Sequence, residues 1–434
     1  MAEYAVTEID LTSGERISLL KSRATGLPLF DPMVWVTSEL RSSGQKPNSI
    51  NQALRAIAVM QRYFDLSEID LDVRLQKGRF LTQAEMGGLV AHCRAPLRLS
   101  PGTLKKSSKE PSKPACNASK ESKRDALSSQ VVPVKEATAR LRAHYIRKFL
   151  IWKLDDYIFK IGVDDQRFRD LQVLGKSAIE SFGGKIPKGA NYGQLDARQG
   201  LVPESRLLLE AVTDPLASNN PWTDKHTKVR NYVMVQMFLA LGLRAGELLG
   251  LRVRDFSSAT GVVDIIRRNY NAEDPRSRRG EVKTRERRLK LSESLSQLVR
   301  SYILNERRSL QGAKRHEFLF VASRTGDPLS YSALAKSFTQ LRGAFPAGLQ
   351  GVVAHMLRHT WNDDFSEHAD ENGMSPEREQ KVRSYLMGWS EHSGMATRYT
   401  KRHTQREADE HLMAVQSKFA KRRRDGESSG SGND

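Results

Sequence analysis

The chain has 434 residues, more than one hydrophobic core normally organises, so we expect two domains. Lysine and arginine total 70 against 51 acidic residues, and the formal charge of +19 indicates a polyanionic partner such as DNA or RNA. The two cysteines, Cys93 and Cys116, are too few for a disulfide framework and fit a reducing compartment.

Signals for export, membrane insertion or structural zinc do not show in the sequence. The N-terminus lacks a basic stretch followed by an apolar one, which argues against a signal peptide. The longest apolar run, residues 232–243, is shorter than the about 20 residues of a membrane span and predicts a buried helix. No cysteine and histidine cluster has zinc-ligand spacing. We expect a cytoplasmic protein.

The first part of the chain has helical periodicity. Asp31 and Pro32 suit the first turn of a helix. Thr82 and Glu85 have the form of a capping box, which marks a helix start. The predicted helices are residues 30–40, residues 49–64, a helix that begins at Thr82, and residues 137–159.

The regions between and after these helices set the expected domain bounds. Residues 100–133 shift to Ser, Lys, Pro and Ala without a hydrophobic period, which predicts a disordered insertion. Its lysines either contact a nucleic-acid backbone transiently or form a solvated charged loop. The glycines at residues 183–189 predict a hinge. The expected parts are a helical domain at residues 1–165, a linker at 166–200, a second domain at 201–420 and a disordered tail at 421–434.

The second domain combines helices with a few strands. A strongly apolar helix at residues 229–241 ends at Gly242, and another begins at Glu247. The predicted strands are residues 262–266 and 287–291, and the further helices are residues 292–305, 331–342, 355–365, 377–387 and 407–419. The fold class expected is mostly α with a small antiparallel β-sheet.

Polar motifs interrupt this pattern in a fixed order. Leu-Gly-Leu-Arg-Ala-Gly-Glu-Leu at 241–248 puts Arg244 just past a helix end, and His-Met-Leu-Arg-His follows at 355–359. Met-Gly-Trp at 387–389 and Arg-Tyr-Thr at 398–400 come last. Arginine suits a phosphate because its planar fork donates two parallel hydrogen bonds and stays charged. Each motif alone is more often structural.

Taken together, the motifs resemble those of the tyrosine recombinases, the family of phage integrases and bacterial chromosome-dimer resolvases. The resemblance implies a core-binding domain and a catalytic domain that close around double-stranded DNA. It also implies cleavage through a 3′-phosphotyrosine without metal or other cofactor. Strand exchange would pass through a Holliday junction in a homo-tetramer on two DNA sites, with an accessory directionality factor as an optional partner.

The resemblance assigns roles to the strongest matches. Tyr399 is the expected nucleophile, because it follows the Gly-Trp-Ser stretch as the family's nucleophile follows its own box. Arg244 and Arg358 are the expected phosphate clamps, and Glu247 is the acidic residue that supports them. His355, three positions before Arg358 on one helix face, is expected to hydrogen-bond the phosphate and assist proton transfer at the tyrosine.

Other assignments leave alternatives open. Lys283 resembles the lysine that protonates the leaving 5′ oxygen, with Arg279 or Arg285 as alternatives. Trp389 stands where most members have histidine; it donates a hydrogen bond but carries no proton, and His392 is the alternative in a shifted register. We interpret His359 as structural, and Tyr385, the other tyrosine nearby, as a core aromatic.

The predicted function is a bacterial, nucleoid-associated integrase of a mobile element. One rival is a type IB topoisomerase, which shares the chemistry but acts as a monomer. The other is a DNA-binding regulator that has lost catalysis, which the intact Arg244, Arg358 and Tyr399 argue against. The helix at residues 407–419 resembles the family's C-terminal element, which docks on a neighbouring subunit; packing on its own domain is the alternative.

Overall fold

The computed structural model describes residues 3–13, 15–96, 133–188, 200–268, 273–276, 284–390 and 393–428. The chain forms two compact units, Met1–Gly193 and Gln194–Asp434. The predicted insertion at residues 100–133 lies outside the described residues apart from its last residue.

The first unit opens with a β-hairpin, which the expectation of a helical domain omitted. Strands β1 (Tyr4–Asp10) and β2 (Arg16–Ser22) pair antiparallel, with Tyr4 opposite Ser22. Of these two strands only Ser18 and Leu20 are buried. Because so few of its side chains enter the core, the hairpin has no clear apolar alternation that would reveal it in the sequence.

Five helices of the first unit follow, and the four predicted segments are confirmed as helices. In the capping box, the Thr82 hydroxyl accepts the backbone N–H of Glu85, and the Glu85 carboxylate accepts that of Thr82. The helices are α1 (Phe30–Trp35), α2 (Pro47–Leu66), α3 (Leu71–Gln76), α4 (Gln83–His92) and α5 (Glu136–Ile161). Helices α2 and α5 pack together at the centre of the first core.

The linker predicted for residues 166–200 is wrong in its first half. Helices α6 (Gln166–Asp170) and α7 (Lys176–Lys185) occupy it, joined by a π-helical turn. Leu171 in the turn and Ile179 and Phe182 on α7 complete the first core. A Cβ on Gly183 would lie 2.9 Å from Arg147 Nε, so this glycine permits close packing where a hinge was expected.

The second unit contains a three-stranded antiparallel sheet in the order β3 (Phe256–Ser257), β4 (Val262–Ile265), β5 (Arg287–Lys290). Both predicted strands are confirmed. Ile265 pairs with Arg287 and Val263 with Leu289. All four of these side chains are buried, so the inner face of the sheet carries one arginine.

Helices surround this sheet, which confirms the mostly α fold class with a small antiparallel sheet. Most residues of helix α9 are buried, and it packs against α14. The helices are α8 (Pro203–Thr213), α9 (Lys225–Leu241), α10 (Ala245–Gly250), α11 (Glu293–Ser301), α12 (Tyr331–Ala344), α13 (Pro346–Leu349), α14 (Ala354–Glu371), α15 (Pro376–Met387) and α16 (Gly394–Ser428).

The last helix, α16, extends to Ser428, so the disordered tail predicted from residue 421 is helical over most of its length. The predicted helix at residues 407–419 lies within it. Lys and Arg are good helix formers, which explains why the helix does not end where the apolar pattern ends. None of the helices in the described ranges combines the length and the apolarity needed to cross a bilayer.

Candidate active site

Arg244 is placed by the break between α9 and α10. Gly242 ends α9 in the left-handed conformation, with φ at 59°. A Cβ there would lie 2.7 Å from Met387 Cε, so the position requires glycine for both backbone and packing reasons. Arg244 then takes the N-cap position of α10 and keeps 30% of its side chain exposed. Its guanidinium is therefore accessible to a ligand.

Glu247 is the buried anion behind Arg244. Its carboxylate accepts hydrogen bonds from the Arg244 backbone N–H at 3.1 Å, Thr284 Oγ1 at 2.6 Å and Arg287 Nη2 at 2.8 Å. Burial alone would raise the pKa of this carboxyl group. The charge and hydrogen bond of Arg287, together with the charge of Arg358, overcome burial and lower the pKa to about 2. Glu247 is thus ionised, and its carboxylate fixes Arg244 through the backbone N–H of that residue.

Arg287 is a residue that sequence reasoning missed. It lies on the inner face of β5, where its Nη2 pairs with Glu247 and its Nε donates to the Leu386 carbonyl at 2.6 Å. Its side chain is only 1% exposed. The available signal was the strand alternation, which puts residue 287 on the same face as the apolar Leu289. An arginine on an inward position requires a buried anion, and Glu247 supplies it.

Arg358 is buried at the centre of the site. From α14 its Nη1 donates to the Gly242 carbonyl at 2.6 Å, and its Nη2 donates to the Met387 carbonyl at 3.2 Å. Burial, followed by repulsion from Arg244, lowers its pKa to about 9, with partial compensation from Glu247. Two cations that repel each other without a ligand form a site that favours an anion.

Trp389 lies next to this cationic centre. The Arg358 guanidinium carbon is 5.6 Å from the centroid of its ring, and the Tyr399 ring stacks on it at 5.9 Å with planes 13° apart. Its indole Nε1 is buried without a hydrogen-bond partner among the described residues. A buried donor in this state costs free energy that an acceptor oxygen would recover. This supports the predicted register for Trp389.

Tyr399, near the start of α16, faces the same cluster. Its hydroxyl oxygen is 3.1 Å from His359 Nδ1, and the Arg383 guanidinium carbon is 4.9 Å from the centroid of its ring. The nearest competitor, Tyr385, is 58% exposed, so its interpretation as a core aromatic is wrong. Its hydroxyl lies 3.4 Å from the Arg288 carbonyl, at the surface.

The two histidines of α14 exchange their expected positions relative to Tyr399. His355, expected to assist the tyrosine, is exposed one helical turn away, and its ring centroid is 4.6 Å from that of His359. His359, interpreted from the sequence as structural, is the one that contacts Tyr399. The contact falls on His359 because Tyr399 meets α14 on the side of that residue, which projects about 100° from Arg358.

Three predicted candidates, Lys283, Arg279 and His392, lie outside the described residues. The residue after Lys283, Thr284, is buried and donates to Glu247, so the chain is fixed beside the site at that point. Arg285, an alternative to Lys283, uses its backbone N–H to bond the Gly388 carbonyl at 2.9 Å. Among the described residues, no group of three or more His, Cys, Asp or Glu side chains is arranged to hold a metal ion.

The structure therefore brings Arg244, Glu247, Arg358, Trp389 and Tyr399 into one site, which combines cations, a buried donor and a phenol. Residues 209–406 match the model of the phage integrase family. Tyrosine recombinase XerD of Halalkalibacterium halodurans is 27% identical over 155 residues, which is 36% of this chain and 45% of that protein. The chain thus spans about half the length of this curated relative.

Two similar solved structures are a transposon integrase and a site-specific recombinase. A Tn1549 transposon integrase in complex with transposon right end DNA has 15% identity and a TM-score of 0.47, covering 88% of this chain and 100% of that chain. The XerH site-specific recombinase bound to a palindromic difH substrate has 16% identity and a TM-score of 0.46, covering 86% and 83%. The family match itself confirms the resemblance found in the motifs: residues 209–406 form a domain of the phage integrase family.

Proposed function

We propose that this chain is a site-specific tyrosine recombinase, the integrase of a mobile element, which cleaves and rejoins double-stranded DNA. Tyr399 attacks the scissile phosphate, forms a 3′-phosphotyrosyl bond and releases a 5′ hydroxyl. A 5′ hydroxyl of the partner duplex then reverses the reaction, and strands exchange through a Holliday junction. The match to the phage integrase family and to a tyrosine recombinase supports this assignment.

The observation that carries the proposal is the buried cationic centre beside Tyr399. Arg358 is buried with a lowered pKa and contacts carbonyl oxygens, and Trp389 buries an indole N–H that has no acceptor within the described part of the chain. A phosphate supplies what both groups need, a negative charge and acceptor oxygens. Charge stabilisation of this kind is commonly the largest contribution to the catalysis of phosphoryl transfer.

The other proposed roles follow the same chemistry. Arg244 is the second phosphate clamp, held by Glu247. Lys283 protonates the leaving 5′ oxygen, since a departing alkoxide is a strong base. His355, exposed one turn before Arg358, hydrogen-bonds a phosphate oxygen.

The experiment that tests the proposal is cleavage of a nicked suicide duplex, in which the cut strand diffuses away and the covalent adduct accumulates. Tyr399→Phe should bind DNA as the wild type does and form no SDS-resistant adduct. The exposed Tyr385 provides the control, because Tyr385→Phe should form the adduct normally. If Tyr399→Phe still becomes linked to DNA, the nucleophile is another residue and the proposal fails.

The tetramer is proposed from the surface of α16. Leu412, Met413 and Val415 on this helix are 55%, 64% and 48% exposed, which leaves apolar side chains to be covered. We propose that α16 packs on a neighbouring recombinase in the assembly. Truncation after Lys401 should leave binding to one DNA site intact and abolish recombination of two sites. Recombination at the wild-type rate by the truncated chain would exclude α16 as the link between subunits.

The setting in a mobile element has its own test. If the chain integrates such an element, its gene should lie in a DNA segment that has two short related sequences at its ends. The purified chain should cleave one of these sequences. Relaxation of supercoiled plasmids without exchange between two cleaved sites would favour a topoisomerase instead.

A further inference from the structure

We infer that His359 is the catalytic base that receives the phenolic proton of Tyr399. The inference rests on the proposed function, because it concerns the cleavage step assigned to Tyr399. A phenol with a pKa near ~10 is a poor nucleophile while it keeps its proton. A general base must lie within about 2.6–3.2 Å of the group it deprotonates. His359 Nδ1 lies 3.1 Å from the Tyr399 hydroxyl oxygen, within that range.

The placement of His359 on α14 separates two tasks. Arg358, the preceding residue, points to the Gly242 and Met387 carbonyls, where the phosphate clamp is proposed. His359 is about 100° further round the helix and faces the nucleophile. One turn of α14 thus supplies a cation for the phosphate and a base for the phenol. His355 lies four residues earlier on the same face of α14. Its ring and the His359 ring meet edge to face, with their centroids 4.6 Å apart.

Trp389 and Arg383 contact the ring of Tyr399 and hold it in position for this proton transfer. Trp389 stacks at 5.9 Å, and the Arg383 guanidinium carbon lies 4.9 Å from the ring centroid. Arg383 is completely buried and fixed by bonds to Asn362 and Glu379. This fixed guanidinium restrains the ring, so that the phenol oxygen stays beside His359.

The step balances without a further reactant. The Tyr399 proton passes to His359 Nδ1 while the phenol oxygen forms its bond to phosphorus. The bond between phosphorus and the 5′ oxygen breaks, and that oxygen takes a proton from the acid proposed at Lys283. On religation the imidazolium returns its proton to the Tyr399 oxygen. For the forward step Nδ1 must carry the lone pair, so His359 acts as its Nε2–H tautomer.

The test measures single-turnover adduct formation by the full chain on the nicked suicide duplex. His359→Ala should bind DNA normally and cleave about 10²- to 10⁴-fold more slowly, the usual contribution of a general base. Imidazole added to the buffer should restore part of this rate, because it can enter the vacated space and accept the proton. His368→Ala, an exposed histidine on the same helix, is the matched control and should cleave like the wild type.

Rescue distinguishes a base from a packing residue. Imidazole should not accelerate His355→Ala or Tyr399→Phe. Rescue of His355→Ala in place of His359→Ala would move the base to His355 and overturn the inference. Cleavage by His359→Ala at or above the wild-type rate would overturn it as well, since the hydrogen bond would then only restrain the tyrosine.

A second measurement covers the case in which His359→Ala does not fold. A fluorinated tyrosine at position 399 has a more acidic phenol and depends less on a base. It should raise the cleavage rate of the near-isosteric His359→Gln more than that of the wild type, and an equal gain in both would refute the inference. Adduct formation by Tyr399→Phe is a separate outcome, because it would refute the proposed function itself.

Discussion

Replacement of Glu247 by glutamine tests whether the buried ion pair with Arg287 stabilises the second unit. The two side chains are 0% and 1% exposed, and Glu247 Oε2 lies 2.8 Å from Arg287 Nη2. Glutamine keeps the volume but leaves the Arg287 guanidinium in the core without a counter-charge. Breaking a buried pair in this way costs about 3–5 kcal/mol. The lowering of the Glu247 pKa to about 2, from an ordinary 4.5, has the direction expected of a stabilising pair.

Calorimetry of the full chain measures this cost. For a unit of this size each kcal/mol moves the unfolding midpoint by about 2–4 °C, so we expect Glu247→Gln to lower it by about 6–20 °C. The control is Glu367→Gln, which changes an exposed glutamate on α14 and should have little effect. If the two variants unfold at the same temperature, the buried pair does not stabilise the unit and the reasoning is wrong.

The same pair predicts how stability depends on pH. The folded pKa of Glu247 lies below its unfolded value, so its contribution is fully present above pH 4.5 and is lost as pH falls towards about 2. The wild type should therefore lose more stability than Glu247→Gln across that interval. Unfolding midpoints collected between pH 5 and pH 2 measure the difference, and parallel curves would contradict the assigned pKa.

Three further substitutions test the contacts around the site. Trp389→Phe keeps a ring to stack on Tyr399 but removes the indole donor, and should reduce adduct formation about 10²- to 10³-fold with DNA binding retained. Thr284→Val removes the hydroxyl that donates to Glu247, and should lower the free energy of unfolding by about 1–3 kcal/mol. Gly388→Ala combines a φ of 65° with a Cβ 2.8 Å from Thr284 Cβ, and should destabilise the second unit more than Thr284→Val does. Wild-type values in these assays would contradict the corresponding contact.

Sequence patterns predicted the elements whose residues fill a core. Helix α2 has its buried apolar residues at helical spacing, and α9 is rich in apolar residues, so in both the sequence and the burial agree. The hairpin of β1 and β2 buries little, and α16 continues through charged residues, so in both the apolar period gives no boundary. The linker prediction failed because the sequence alone does not distinguish a glycine that permits close packing from a glycine that permits bending.

The candidate site was likewise predicted only in part from the sequence. Motif order located Arg244, Glu247, Arg358, Trp389 and Tyr399, and the structure brings all five together. The contact partner of each side chain depends on how separate helices and strands pack together. The spacing of residues along one helix does not reveal that packing. His359 and Arg287 were missed for this reason, since each gains its role from a residue 40 positions away in the chain.

The way in which Arg358 is held explains why its charge remains available to a phosphate. Its Nη1 and Nη2 groups donate to carbonyl oxygens at the ends of α9 and α15, each of which stops at a left-handed glycine, Gly242 or Gly388. The free carbonyls of a helix C-terminus carry a partial negative charge that stabilises a cation. They satisfy the guanidinium N–H groups without the full neutralisation that a carboxylate partner would give. Glu247, the nearby carboxylate, is instead engaged by Arg287 and Arg244. Glu247 thus stabilises the structure around the site, while the positive charge of Arg358 remains available to attract a phosphate.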